Sequence, residues 1–135
     1  MLPSNPPNVT RVAVAVVESG GAYLVGVRGP DGPLPGDHEF PGGKLNHGES
    51  PAEGAVRECL EETGLNVVAR ETLYECTHDY PHGRVELTFL LCTPLEQGRP
   101  PALGRFEWHT AADLAELRFP EANAPVLARI LEREP

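Results

Sequence analysis

Positive charge is scarce in this chain: 11 lysines and arginines stand against 20 aspartates and glutamates, a formal net charge of −9. A protein that holds long nucleic acid carries a basic stripe that releases counterions from the phosphate backbone. That partner class is excluded, whereas a single nucleotide is not, because a bound cation can supply the missing charge locally. Long apolar runs are lacking as well. The longest, residues 12–17, falls far short of the ~20 residues of a membrane-spanning helix, and residues 1–10 show no basic start followed by an apolar core. Cys59, Cys76 and Cys92 are odd in number and form no C-x-x-C pair. They point to buried free thiols in a reducing compartment, not to a disulfide framework or a zinc site. His47, His78, His82 and His109 likewise show no metal-ligand spacing. With no repeat and no linker, the expectation is a single cytoplasmic domain over residues 1–135, monomer or homodimer, with no membrane partner. Residues 1–8, rich in proline and asparagine, are expected to form a mobile lead-in.

What the chain does have is concentrated in residues 42–65, GGKLNHGESPAEGAVRECLEETGL. Ser50 is a good N-cap, Pro51 suits the first helical position, and Glu53 completes a capping box. Gly64 supplies the left-handed stop, so the spacing predicts a helix from Pro51 to Thr63. At about 100° per residue, Ala52, Val56, Cys59, Leu60 and Thr63 share one face, and Glu58, Glu61 and Glu62 gather roughly opposite.

Like charges at these spacings destabilise a helix by a few tenths of a kcal/mol per pair, an effect that Arg57 offsets in part through Glu61. A solvated acidic face is the bland account of the cluster. A hard divalent cation is the alternative, since Mg2+ takes oxygen ligands from carboxylates and substrate phosphates. The preceding Phe40-Pro41-Gly42-Gly43-Lys44 favours the cation. Its glycines permit close backbone approach, and Lys44 places positive charge where phosphate oxygens would lie.

Gly43, Glu49 and the run Arg57-Glu58-Cys59-Leu60-Glu61-Glu62-Thr63-Gly64-Leu65 together resemble the Nudix box, G-x5-E-x7-R-E-U-x-E-E-x-G-U, where U is a bulky aliphatic residue. Cys59 at a U position is the departure, and as a small buried hydrophobe it affects packing more than chemistry. The resemblance implies a hydrolase of nucleoside diphosphate derivatives, dependent on Mg2+ or Mn2+. It further implies that Glu58, Glu61 and Glu62 hold the metal with the Gly43 carbonyl, and that Arg57 orients them. Glu49 would support the cluster or bind a further metal, and Lys44 would meet phosphate oxygens.

The rest of the chain is strand and loop. Residues 12–17 and 23–27 read as a hairpin, and 29–37 as a Pro/Gly loop overhanging the site. Residues 66–80 and 84–93 read as a long antiparallel pair, and 94–104 as a further loop. A short last strand covers 105–109, Thr110 with Asp113 caps a brief helix, and a C-terminal helix follows Asn123. The order suggests an α/β sandwich with a mixed sheet, in agreement with the α/β/α Nudix fold that the resemblance implies.

Similarity to the MutT type, the oxidised-nucleotide hydrolases, extends past the box. His38-Glu39-Phe40-Pro41-Gly42-Gly43-Lys44 resembles its site-entry strand, Arg28 lies where a base-contacting arginine is expected, and Phe119-Pro120-Glu121-Ala122-Asn123 resembles its Phe-Pro-x-Ala-Asn stretch. The resemblance implies that Asn123 reads the base; an N-cap on the last helix is the other role open to it. Phe40 suits the site wall. Tyr80 could stack on a purine or pack in the sheet. Relatives of this type often carry another glutamate in the loop before the last strand's tryptophan. Here that position is Ala102, with Glu96 the nearest acidic residue, and which glutamate acts as base stays open. The implied substrate is 8-oxo-dGTP. Another nucleotide (a pyrimidine triphosphate, ADP-ribose, a dinucleoside polyphosphate) and a non-catalytic nucleotide-binding module are the rivals.

Overall fold

The structure, a computed structural model, describes residues 8–133. Except for Asn8, the lead-in expected at 1–8 lies outside them. The sheet is built around β1 (Val9–Ser19), whose alternation sends Ala13, Ala15 and Val17 to one face and Val14 and Val16 to the other. Along one edge β6 (Gly83–Pro94) runs parallel to it from Val9↔Arg84 to Val17↔Cys92, and β5 (Val67–Tyr80) pairs antiparallel with β6. The other edge of β1 is shared. β4 (Gly42–Lys44) takes Val12–Val14, while β2 (Ala22–Val27) meets Glu18 and Ser19 and goes on to pair with β3 (His38–Glu39) and β7 (Glu107–Thr110). The sheet therefore splits beside β1, and the split leaves room for a site.

Both faces are covered. Ala13, Ala15, Val17, Leu90 and Cys92 pack under α1 (Pro51–Thr63) with Ala55 and Cys59. Val16, Tyr23, Phe89 and Leu91 form the opposite core with Leu114 of α2 (Ala111–Leu114) and Val126 and Ile130 of α3 (Ala124–Arg133). Continuous burial from Phe89 to Cys92 follows from this, because a strand covered on both faces has no solvent side. The expected α/β/α sandwich with a mixed sheet is present. Among the described residues no helix is long and apolar enough to cross a membrane.

The start and stop of α1 are as its sequence dictates. Ser50 accepts from the Glu53 N–H, the Glu53 carboxylate accepts from the Ser50 N–H, and Gly64 sits at φ 79°. Its buried face differs from the expected one. Leu60 is exposed, while Gly54 and Ala55 are buried, and Leu45 packs against the helix at Gly54. The last strand begins at Glu107 instead of 105. Cys59 and Cys92 are buried and burial pushes their thiols up, that of Cys92 to about 12. Cys76 departs from expectation: it is only half-buried, with Sγ 3.7 Å from His78 Nε2.

Candidate active site

Two glycines let the sheet touch the acidic helix. A Cβ at Gly42 would strike the Ala13 carbonyl and Val14 of β1, and one at Gly43 would overlap the Glu58 carboxylate. Only bare backbone fits between β1 and α1 here.

Arg57 organises the carboxylates. Its Nε and Nη2 form a fork onto Glu49 at 2.7 and 2.9 Å, Nη1 reaches Glu58 at 2.7 Å and Glu61 at 3.1 Å, and Nη2 also donates to the Lys44 carbonyl at 3.0 Å. Planar two-point contact of this kind fixes orientation as well as supplying energy. Glu49 additionally accepts from the Asn46 N–H at 2.9 Å. The Arg57 fork and that N–H together hold the Glu49 carboxyl down at about 2, and the three glutamates hold the guanidinium well above its usual value.

Glu62 experiences the reverse. Burial, a hydrogen bond with Glu58, and the charges of Glu58 and Glu39 raise its pKa well above the ordinary carboxylate range, against the pull of the Gly42 N–H. Glu58 and Glu62 are thus carboxyls in contact with one another beside the Gly42–Gly43 backbone. Among the described residues no group of three or more His, Cys, Asp or Glu side chains is gathered as a closed metal cage. The expected trio is divided: Arg57 draws Glu61 to the exposed rim, and Glu58 and Glu62 converge at the glycines. The donor set still fits a hard cation. It consists of carboxylate oxygens held against bare backbone, with a like-charge pair that a cation would relieve.

The same glycines open onto a cavity of about 220 Å³, lined on one side by Arg28, Glu39 and Phe40 and on the other by Pro120, Ala122 and Asn123. Drug-sized ligand pockets run to ~300–1,000 Å³, so this one has room for a small group only. Phe40 is buried and stacks on Phe119, ring centroids 5.1 Å apart and 26° between planes. Arg28 Nε forms an ion pair with Glu39 at 3.5 Å and is buried without a hydrogen-bond partner among the described residues.

Asn123 does not cap α3. It ends a 3-10 turn, Glu121–Asn123, that runs straight into the helix, and its side-chain amide donates to the Pro120 carbonyl at 3.3 Å. Asn123 also lines the cavity.

Tyr80 is not brought to the site. It sits at the exposed end of the β5–β6 hairpin, stacked on His82 at 5.7 Å, and pairs with Gly83. Leu87, which lines the cavity, is about 13 Å further along the strand at ~3.3 Å per residue. Lys44 is exposed at the end of β4. Ala102 packs beside Trp108 and Phe106 under the α1 face. Glu96 lies next to the bend where Gly98 accepts from Ser19, at the end of β1 remote from Val12–Val14, so it does not stand in for the missing loop glutamate.

Some contributors carried no sequence signal strong enough to find them. Glu39 borders the cavity and acts on Glu62, and Asp37 and Arg118 join the two walls. Gly54 did carry one, since a glycine inside a helix loses ~1 kcal/mol against alanine and so marks a close approach.

Comparison with known proteins places these observations in a family context. The NUDIX domain profile matches residues 12–129. An 8-oxo-dGTP diphosphatase of Escherichia coli (strain K12) is 28% identical over 127 residues, 89% of this chain and 95% of that protein. The 8-oxo-dGTP diphosphatase of Buchnera aphidicola subsp. Acyrthosiphon pisum (strain APS) is 33% identical over 91 residues, 66% of this chain and 73% of its own. Among solved structures, MutT from methicillin-resistant Staphylococcus aureus 252 superposes with a TM-score of 0.74 at 28% identity, covering 94% of this chain and 98% of the other.

Proposed function

The chain belongs to the Nudix family and is a hydrolase of phosphoanhydride bonds, and from that premise we propose a Mg2+-dependent nucleoside triphosphate pyrophosphohydrolase that converts 8-oxo-dGTP to its monophosphate and pyrophosphate. Its role is to clear oxidised nucleotide from the pool. One observation carries this reading: the backbone of Gly42 and Gly43 has the Glu58–Glu62 pair on one side and a cavity with Arg28, Phe40 and Asn123 on the other. A nucleotide laid across the glycines would have its base in the cavity and its phosphates at the carboxylates.

Hydrolysis requires a placed water, neutralised phosphoryl charge and a stabilised leaving phosphate. Mg2+, when bound, supplies Lewis-acid neutralisation and acidifies water. Glu58, Glu61 and Glu62, with the Gly43 carbonyl, are the groups to hold it. Arg57 keeps Glu49 and Glu58 fixed in direction, and Lys44 meets phosphate oxygens from the exposed end of β4. The Asn123 amide can donate to O6 and accept from N7–H at once. Oxidised guanine offers that pair, whereas ordinary guanine presents two acceptors there.

The test is a hydrolysis screen with and without Mg2+ across ordinary and oxidised nucleotides. Metal-dependent pyrophosphate release fastest from 8-oxo-dGTP is expected. A bidentate base contact is worth ~1–3 kcal/mol, so Asn123→Ala should reduce the preference for 8-oxo-dGTP over dGTP by roughly 5- to 150-fold. An unchanged preference would remove Asn123 from base reading.

A further inference from the structure

The two walls of the cavity come from distant parts of the chain and meet in one ion pair. Asp37 closes the loop that begins at Arg28, and Arg118 opens the segment that ends at Asn123. The Asp37 carboxylate accepts from Arg118 Nε. Main-chain bonds tie each partner to its wall. The Asp37 carbonyl accepts from the Arg28 N–H at 2.8 Å, and the Arg28 carbonyl from the Gly36 N–H at 3.1 Å. Across the gap, the Arg118 carbonyl accepts from the His38 N–H at 2.7 Å and lies 3.3 Å from His38 Nδ1, while Nη2 reaches the Pro35 carbonyl at 3.5 Å. The residue after Arg118 is Phe119, stacked on Phe40. Pro120 then holds Asn123 twice, from its backbone N–H at 2.9 Å and its side-chain amide at 3.3 Å.

The pair is asymmetric. The Arg118 side chain is 72% exposed, while that of Asp37 is 10% exposed. An exposed arginine adds little stability to a surface ion pair, but a carboxylate this buried needs its partner for direction. The loop gains a fixed endpoint, and with it Arg28 gains a fixed distance to Asn123.

We propose that Asp37 and Arg118 are a positioning pair that sets the separation of Arg28 and Asn123 across the cavity and thereby governs which purine is accepted. The proposal rests on the base-reading role given to that cavity above. Neither residue touches the base. Each acts through the wall it anchors, so its loss widens the cavity and leaves the phosphate end as it was.

Arg118→Gln is the test, because it removes the fork from an exposed position and spares the buried carboxylate's neighbours. Turnover of 8-oxo-dGTP and dGTP with Mg2+ is measured beside calorimetric binding of 8-oxo-dGMP and dGMP in chelator, where no metal or phosphate chain contributes. A wall displaced by a fraction of an ångström should raise KM for 8-oxo-dGTP and weaken 8-oxo-dGMP about tenfold, while kcat stays within about twofold. Arg118→Lys, which keeps the charge but loses the planar fork, should recover part of the loss. If Arg118→Gln does not fold, Asp37→Asn with Arg118→Gln removes both charges together and should show the same loss of selectivity. A lowered Tm with an unchanged ratio of 8-oxo-dGTP to dGTP in either variant overturns the proposal and leaves the pair as a mere staple. Failure of the unsubstituted protein to distinguish the two monophosphates overturns the base-reading role itself, and the pair's role with it.

Discussion

Arg57 holds Glu49 and Glu58 while Glu62 is raised by burial and by its contact with Glu58, so two carboxyls of one motif, Glu49 ahead of the helix and Glu62 within it, are shifted in opposite directions. Glu49 is the one whose ionised form the fold favours. Its folded pKa, about 2, lies below the ordinary 4.5, so its contribution to stability is present above the ordinary value and is lost as pH falls from there through about 2. Glu49→Gln should flatten the fall of Tm in that acid window, measured by thermal unfolding in chelator. Outer partners of metal ligands contribute ~10–100-fold to activity, so the same variant should lower kcat by that order at neutral pH. A steep acid slope retained in Glu49→Gln would assign the slope to other carboxylates. The contacts of Arg57 with the glutamates were legible because the residues involved lie within one motif, on one helix and the turn just before it. Asp37 and Arg118 were not, since 81 positions separate them and nothing local ties an aspartate in a Pro/Gly loop to an arginine near a helix end.

At the level of elements, α1 shows which rules act locally and which depend on what packs above. Its ends could be read because cap chemistry is settled within a few residues: Ser50, Pro51, Glu53 and Gly64 each meet a backbone need of the helix itself. Its buried face could not, because it depends on what packs there: Leu45 lies against Gly54, and Leu60 is left in solvent. Asn123 failed as a cap for a related reason, the turn from Pro120 continuing into α3 and removing the exposed helix start that a cap serves. Tyr80 was misplaced by hairpin length, which residue type does not reveal. Two substitutions separate local from tertiary control. Ser50→Ala removes a cap worth about 1 kcal/mol, a fall in Tm of roughly 4 °C for a chain of this size. Gly54→Ala should gain ~1 kcal/mol from helix propensity, yet its Cβ would overlap Leu45 and come to 3.2 Å from Glu49 Oε1. Overpacking costs ~1–3 kcal/mol, so a net loss of stability with reduced kcat is expected. A rise in Tm for Gly54→Ala would show that Leu45 yields freely and that the contact is unimportant.

For the molecule as a whole, the sheet, the helix and the excess of negative charge bear on one equilibrium. Splitting the edge of β1 between β4 and β2 puts bare backbone beside a half-buried acidic pair, and the chain's charge of −9 supplies few cations to relieve it. The raised pKa of Glu62 favours a proton as the relief. Because Glu62's folded pKa lies above its unfolded value, the associated stability is fully present below the ordinary carboxylate range and is lost as pH rises through the raised value. A divalent cation that takes the proton's place should therefore bind more tightly as pH rises across the same window, releasing up to one proton per ion. At a concentration 100 times its Kd a ligand adds ~2.7 kcal/mol to the folded state. Mg2+ should thus raise Tm, and should raise it more at pH 8 than at pH 6. Titration calorimetry in buffers of different ionisation enthalpy would count the released protons, and Glu62→Gln should abolish both the release and the pH dependence of the Mg2+ shift. Equal Mg2+ stabilisation at the two pH values, with no proton released, would mean that the cation binds away from Glu58 and Glu62. The glycine cradle would then be serving the packing of β4 against α1 alone.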